Sequence, residues 1–157
     1  MQITRTAVDV ASPGWDEYTG WGRLDAAAAV TTLTVPADLW IHATAPTHVG
    51  PGQVIRYALQ YGNRGGDARD VWITATLPVS LTATTPLTHH EPFLAAASGP
   101  YTLTIAATVG SDMSPGVELT CMAAITSVDI DLNLLDNTAQ VVTQVGHLAF
   151  LPVVLKE

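Results

Sequence analysis

The sequence predicts an all-β fold, an antiparallel β-sandwich of about seven strands with a short helical segment ahead of it. Three observations lead there. From Pro36 onward, apolar and polar residues alternate with period 2 in run after run. Clusters of Gly, Pro, Asn and Asp punctuate those runs at short intervals. The composition, 48% hydrophobic against 13% charged, suits a chain that fills a core rather than a disordered one.

Residues 1–35 follow a different regime. Ser12-Pro13-Gly14 marks a turn, two aromatic-glycine turns follow at Tyr18 to Gly22, and an alanine run extends from Ala26 to Ala29. Alanine is the best helix former and Asp25 suits a cap, so a short helix is predicted over 24–33. A helix of about ten residues is marginal alone in water, so it needs a surface to pack on.

The strands are predicted in order at 37–44, 53–61, 71–77, 81–84, 101–109, 117–126 and 138–145. In 53–61 the inward set is Ile55, Tyr57, Leu59 and Tyr61; in 71–77 it is Val71, Ile73, Ala75 and Leu77. Tyr101, Leu103, Ile105 and Ala107 form the inward set of 101–109, and Val117, Leu119, Cys121, Ala123 and Ile125 that of 117–126. Turns are expected at Gly50-Pro51-Gly52, Asn63 to Gly66, Ser98-Gly99-Pro100 and Ser114-Pro115-Gly116. About seven strands in about 110 residues, spanning 36–146, is the size of an immunoglobulin-like sandwich. The segment 147–157 is apolar but too short for a bilayer, and Pro152 forbids a central strand. It reads as an edge strand or loose tail.

Charge excludes some functions. Fourteen acids face 6 bases, a net charge of −8, and the bases are scattered. Nothing resembles a basic stripe for phosphates, which argues against nucleic acid and anionic lipid as partners. No segment reaches the ~18 apolar residues of a membrane span. The single cysteine, Cys121, forms no internal disulfide and leaves the compartment open. On the inward set of its strand, it reads as a buried, inert thiol.

Candidate sites are few. His89-His90-Glu91 superficially suggests a metal cluster, but adjacent side chains point apart and no further ligands follow by spacing; a solvated loop before Pro92 is expected. Asp129, Asp131 and Asn133 have the 1-3-5 spacing of a calcium loop, yet Leu134 replaces the required glycine and Gln140 the bidentate glutamate. An EF-hand is excluded. Asp129, Asp131 and Asp136 stay as candidates for a looser calcium site, against the plainer reading of a turn with exposed acids. Trp40 and Trp72 fall on the outward phase of their strands, either as an interaction surface for a sugar or protein or as cover for a neighbouring segment. Lying in different sheets, they are expected on opposite outer faces.

Two resemblances add to this reading. Thr6-Ala7-Val8-Asp9, then Tyr18-Thr19-Gly20-Trp21-Gly22-Arg23-Leu24-Asp25-Ala26 and the alanine run, resemble the C-terminal end of the subtilase catalytic domain over about 30 residues. That resemblance implies that 1–35 is the closing piece of a secreted subtilisin-like serine endopeptidase whose body lies upstream of Gln2. The family's catalytic aspartate, its His-Gly-Thr and its Gly-Thr-Ser-Met-Ala are absent, so no catalytic residue carries over and the chain itself is not expected to be an enzyme. Ala37-Asp38-Leu39, Pro51-Gly52-Gln53, Tyr57 and Leu59 followed by Asn63 and Gly65, Leu77-Pro78 and Asp136-Asn137-Thr138-Ala139 resemble the cell-adhesion-type CARDB repeats of bacterial surface proteins. Gln53, where a hydroxyl or acid is usual, and the single Asn137 depart from that pattern. Together the resemblances imply an extracellular or cell-envelope accessory module, a spacer or an adhesive domain, without a cofactor. Its partners would be the upstream protease domain, a protein substrate or a cell-surface polymer.

Overall fold

The computed structural model describes residue 4 and residues 6–11, 13–31 and 35–146. The segment 147–157, expected as an edge strand or tail, lies outside the described residues, as do 32 and 33 of the expected helix. The chain divides into two compact units, Met1–Val35 and Pro36–Glu157.

In the first unit the backbone folds back twice. Val8 and Arg23 exchange two backbone hydrogen bonds of 2.8 Å, and Asp16 and Gly20 exchange a second pair of 2.9 and 2.8 Å. The Asp16 carboxylate closes its own turn, accepting from the Tyr18 and Thr19 N–H groups at 2.8 Å and from the Thr19 hydroxyl at 2.6 Å. These donors, the Thr19 hydroxyl first, hold it below the ordinary carboxylate range. Gly22 has φ 91°, and a Cβ there would run into the Val8 carbonyl, so the position demands glycine. Helix α1, Ala26–Thr31, then starts behind Asp25, whose carboxylate accepts from the Ala28 N–H at 2.8 Å. The helix is shorter than expected at its start because Asp25 is its cap and Leu24 precedes it.

The second unit is a sandwich of two sheets containing nine strands among the described residues. Sheet A has four strands in the order β1 (Leu39–Thr44), β3 (Val54–Asn63), β7 (Ser98–Val109) and β5 (Leu81–Ala83), all antiparallel. Sheet B has five, in the order β2 (His48–Val49), β9 (Thr138–Val145), β8 (Glu118–Thr126), β4 (Ala68–Thr76) and β6 (Thr88–Leu94). All its pairs are antiparallel except β2 with β9. Leu39 pairs with Asn63, and Thr138 with Ala124, so these residues gather at one end of the sandwich, the Asn63 end. β9 runs from there to Val145 at the opposite end.

The alternation does what it must: Ile55, Tyr57 and Leu59 from sheet A meet Val71, Ile73, Leu119 and Ile125 from sheet B in a core closed to water. Burial of such side chains contributes roughly 1.5–3 kcal/mol each. The expected inward sets hold except at strand ends. Tyr101 lies near the start of β7 and is 44% exposed, and Val117 precedes β8 and is 38% exposed.

Two strands exceed the expected seven, and one of them corrects a site reading. His89-His90-Glu91 is not a solvated loop but the middle of β6, an edge strand paired only with β4. Pro92 is tolerated because the strand is an edge, and the ladder skips from Arg69–Phe93 to Val71–Glu91 around it. Opposite that gap, Asp70 takes a φ of 54°, a local break in the pleat.

Candidate functional site

Asn63 organises the end of the sandwich at which the chain arrives from Val35. It is 1% exposed, so its amide must find partners within the protein. Its Oδ1 accepts from the Asp38 and Gly65 N–H groups, both at 3.1 Å. Its Nδ2 donates to the carbonyls of Gly66, Ala95 and Leu94, the last two at 3.3 and 3.4 Å. One side chain thus ties the arriving backbone, the 64–66 turn and the end of β6. Gly65 completes the clamp. A Cβ there would collide with the Pro36 carbonyl and stand 2.6 Å from the Asp38 nitrogen, so the arriving chain lies directly on it. The Asn-x-Gly string therefore has a structural task.

Beside the clamp, the Arg64 guanidinium lies over the Trp40 ring, 5.0 Å from its centroid, and donates to Asp136 Oδ2 at 3.0 Å. Trp40, Asn63, Arg64, Ala97, Ser98, Gly99 and Pro100 line an open cleft of about 320 Å³.

The loop between β8 and β9 holds the candidate calcium ligands, and each carboxylate has a protein partner. Asp129 accepts from Arg69 three times: from its N–H and its Nη2 at 2.7 Å, and from its Nε at 3.3 Å. Those bonds hold its carboxyl below the usual range. Asp131 accepts from the Leu39 N–H at 3.0 Å, from Asn137 Nδ2 at 3.1 Å and from the Asn133 N–H at 2.8 Å. Asp136 pairs with Arg64, while its Oδ1 and the Asn137 Oδ1 are buried without a protein partner. Among the described residues no three of His, Cys, Asp and Glu are grouped as a metal site. With the acids turned to these partners, the intervening side chains Val128, Ile130, Leu132, Leu134 and Leu135 point outward, between 64% and 90% exposed.

Trp40 and Trp72 stand in different sheets, β1 of sheet A and β4 of sheet B. Trp72 is 43% exposed and stacks on His90 of β6, with centroids 4.3 Å apart and planes 22° apart. His90 Nε2 in turn meets Asp70 Oδ1 at 2.6 Å. The other histidine of the pair faces away: His89 Nε2 meets Glu91 Oε1 at 2.8 Å, and the same oxygen accepts the Tyr61 hydroxyl. The His89 bond is the chief reason that the Glu91 carboxyl lies below the usual range. Sequence reasoning missed the Trp72–His90–Asp70 contact because β6 was unrecognised; only the β4–β6 register brings these residues together.

Cys121 is fully buried, and burial pushes its thiol up to about 11. The Tyr57 hydroxyl is buried without a hydrogen-bond partner, and burial, with the neighbouring Cys121, pushes it up to about 12. No helix among the described residues is long and apolar enough to cross a membrane.

No protein-family model matches the chain, and no curated protein matches it. Solved structures do. The sandwich is similar to the CARDB domain of a Pyrococcus furiosus protein, crystallised in complex with di-metal ions. The likeness covers 70% of this chain and 89% of that one, at 17% identity and a TM-score of 0.56. The solution structure of a CARDB domain from the same organism covers 70% of this chain and 95% of its own, at 16% identity and a TM-score of 0.50. At such identity the likeness is one of fold: the second unit is an immunoglobulin-like sandwich similar to a CARDB domain.

Proposed function

We propose that the chain is a non-catalytic accessory module of a secreted subtilisin-like serine endopeptidase, a spacer that positions the protease or its protein substrate outside the cell or at its envelope. The first unit carries the proposal. Its Thr6 to Asp9 and Tyr18 to Ala26 strings fold against each other through the Val8–Arg23 ladder, yet Trp15, Tyr18, Trp21 and Leu24 stay more than half exposed. So many large apolar side chains on so small a unit point to a larger body that covers them. In this reading the body is the catalytic domain upstream. In this reading the sandwich contributes no chemistry; His89 and His90 bond carboxylates rather than a hydroxyl or thiol. In this reading it needs no cofactor, and Asp129, Asp131 and Asp136 serve to hold a loop. The test is twofold. The 157-residue chain is expected to remain unlabelled by a fluorophosphonate serine probe, and the longer parent chain to be labelled stoichiometrically at a serine in a Gly-Thr-Ser-Met-Ala string. Labelling of the short chain, or a parent without such a serine, overturns the proposal.

A second reading, an adhesive or carbohydrate-binding surface module, draws on the exposed Trp72, held upright by His90 and Asp70. Trp40 lies in the other sheet and is half-covered by Arg64, so a sugar platform would rest on Trp72 alone. Saturable polysaccharide binding that Trp72→Ala abolishes would favour this reading.

A further inference from the structure

We propose that the outer face of sheet B binds an extended, uncharged polysaccharide along a diagonal stripe that runs from Val142 through Met122 and Trp72 to Phe93. This rests on the carbohydrate-binding reading above. Phe93 adds the second ring that the two tryptophans do not supply on one face.

The stripe follows from the register. Val142 of β9 stands opposite Thr120 of β8. Met122, the next outward residue of β8, stands opposite Thr76 of β4. Trp72 comes two outward positions further along β4, and the opposed pair Thr74 and Ala124 fills the step between. Phe93 ends the line on β6, opposite Arg69. The four side chains come from four neighbouring strands and are between 43% and 53% exposed. At ordinary strand spacing and rise, the line is roughly 30 Å long. Phe93 joins it because of Asp70. The φ of 54° at Asp70 breaks the alternation, so Val71 and Ala68 both point inward although they are three residues apart, and Arg69 points out. β6 shifts phase with its partner: Glu91 and Leu94 point inward, and Phe93 turns to the outer face. The same Asp70 carboxylate bonds His90, whose ring is stacked on Trp72. One residue thus sets out both rings.

The occupant follows from the chemistry around the stripe. In β8, β9 and the 72–76 part of β4, the outward positions hold five threonines and two glutamines, and the only charge is Glu118, at the end away from Trp72. Beside Phe93 and Trp72 the ionisable groups are bonded to each other, Arg69 to Asp129 and His90 to Asp70. The chain carries 14 acids against 6 bases, so a face this free of charge matches an uncharged partner and offers a charged one nothing to pair with. Hydroxyls and amides both donate and accept hydrogen bonds, as the hydroxyls of a sugar require. The rings offer flat apolar area of the kind that stacks on a pyranose face. A protein partner calls for a broad apolar core with arginine among the aromatics. Here the apolar line is one side chain wide and bordered by hydroxyls. An open sheet face, unlike a concave pocket, suits a polymer lying across it rather than one small molecule.

The experiment is calorimetric titration of the 157-residue chain with soluble hydroxyethylcellulose, galactomannan and arabinoxylan, with polygalacturonate as the acidic control. Saturable binding is expected to at least one of the three neutral polymers and not to polygalacturonate. It should change less than about twofold when salt is raised to about 1 M, because no charge pair is screened. Trp72→Ala should abolish it, and Phe93→Ala and Met122→Ala should each weaken it at least about fivefold. Trp40→Ala, in the other sheet, should bind as wild type. Melting curves that match wild type verify each fold; should Trp72→Ala fail that check, Phe93→Ala and Met122→Ala decide. Absence of binding to all three neutral polymers, binding to polygalacturonate alone, or binding that Phe93→Ala and Met122→Ala leave unchanged overturns the proposal. So does a sedimentation coefficient that rises with protein concentration and that Trp72→Ala returns to the monomer value, which assigns the face to a second copy. The two failures are distinguishable. Binding lost in Trp40→Ala but kept in Phe93→Ala leaves a carbohydrate-binding module standing and removes only this face, whereas absence of all binding removes that reading as well.

Discussion

Tyr61 of sheet A donates its hydroxyl to Glu91 of sheet B at 3.0 Å, so the two sheets are joined by a polar bond at the edge of an otherwise apolar contact. The phenol sits in a 4% exposed side chain, and burial, reinforced by that bond, raises its pKa. Tyr61→Phe should lower the unfolding free energy by about 1.5–3 kcal/mol in urea titrations, the range for a hydrogen bond to a charged acceptor. An unchanged midpoint would show that the bond contributes nothing.

The same carboxylate sets a pH dependence. Glu91 titrates below its ordinary value of 4.5 in the folded protein. Its contribution is therefore complete above about 4.5 and is lost as the pH falls through the lower folded value. Glu91→Gln should cost stability at about pH 7, and the difference from wild type should shrink toward about pH 3. A gap that widens on acidification would reverse the assignment.

Asn63→Ala should be among the most damaging single changes, at roughly 3 kcal/mol or more. It leaves the Asp38 and Gly65 N–H groups and three carbonyls without their partner. Chemical denaturation of the isolated chain measures it; a loss under about 1 kcal/mol would mean that water replaces the amide.

Tyr57→Phe should do the opposite of a typical core substitution. The hydroxyl it removes is buried and unbonded, so the variant should be unchanged or stabilised by about 1 kcal/mol. A clear drop in melting temperature would reveal a partner for that oxygen.

Cys121 should react with a thiol reagent only as the protein unfolds, since it is fully buried and its thiol is pushed to about 11. A native-state labelling rate near that of the denatured chain would contradict this.

The sandwich was legible because Ile55, Tyr57, Leu59, Val71 and Ile73 repeat at the period that a half-buried strand imposes. β6 was not, because an edge strand needs no apolar inner face: His89 and Glu91 face inward by bonding each other and Tyr61, and Pro92 disguised the rest. The candidate site was legible only in part. Asp129, Asp131 and Asp136 stood out as acids, but their partners Arg69, Leu39 and Arg64 lie 60, 92 and 72 residues away in the chain. No local spacing encodes such pairs. The outward leucines of the same loop carried no signal, because no local spacing says that the acids between them turn to distant partners.

The strand that receives the chain also fixes how the module bears load. Tension applied through Ala37 at one end and Val145 at the other runs parallel to β1, whose six registered pairs with β3 lie along that line. Such a pull shears all six pairs together instead of unzipping them one by one. The Asn63 clamp and the Ala37 bonds to the β8–β9 loop brace the point where the force arrives. A sandwich anchored this way resists stretching along β1, a property that a flexible linker of equal length lacks.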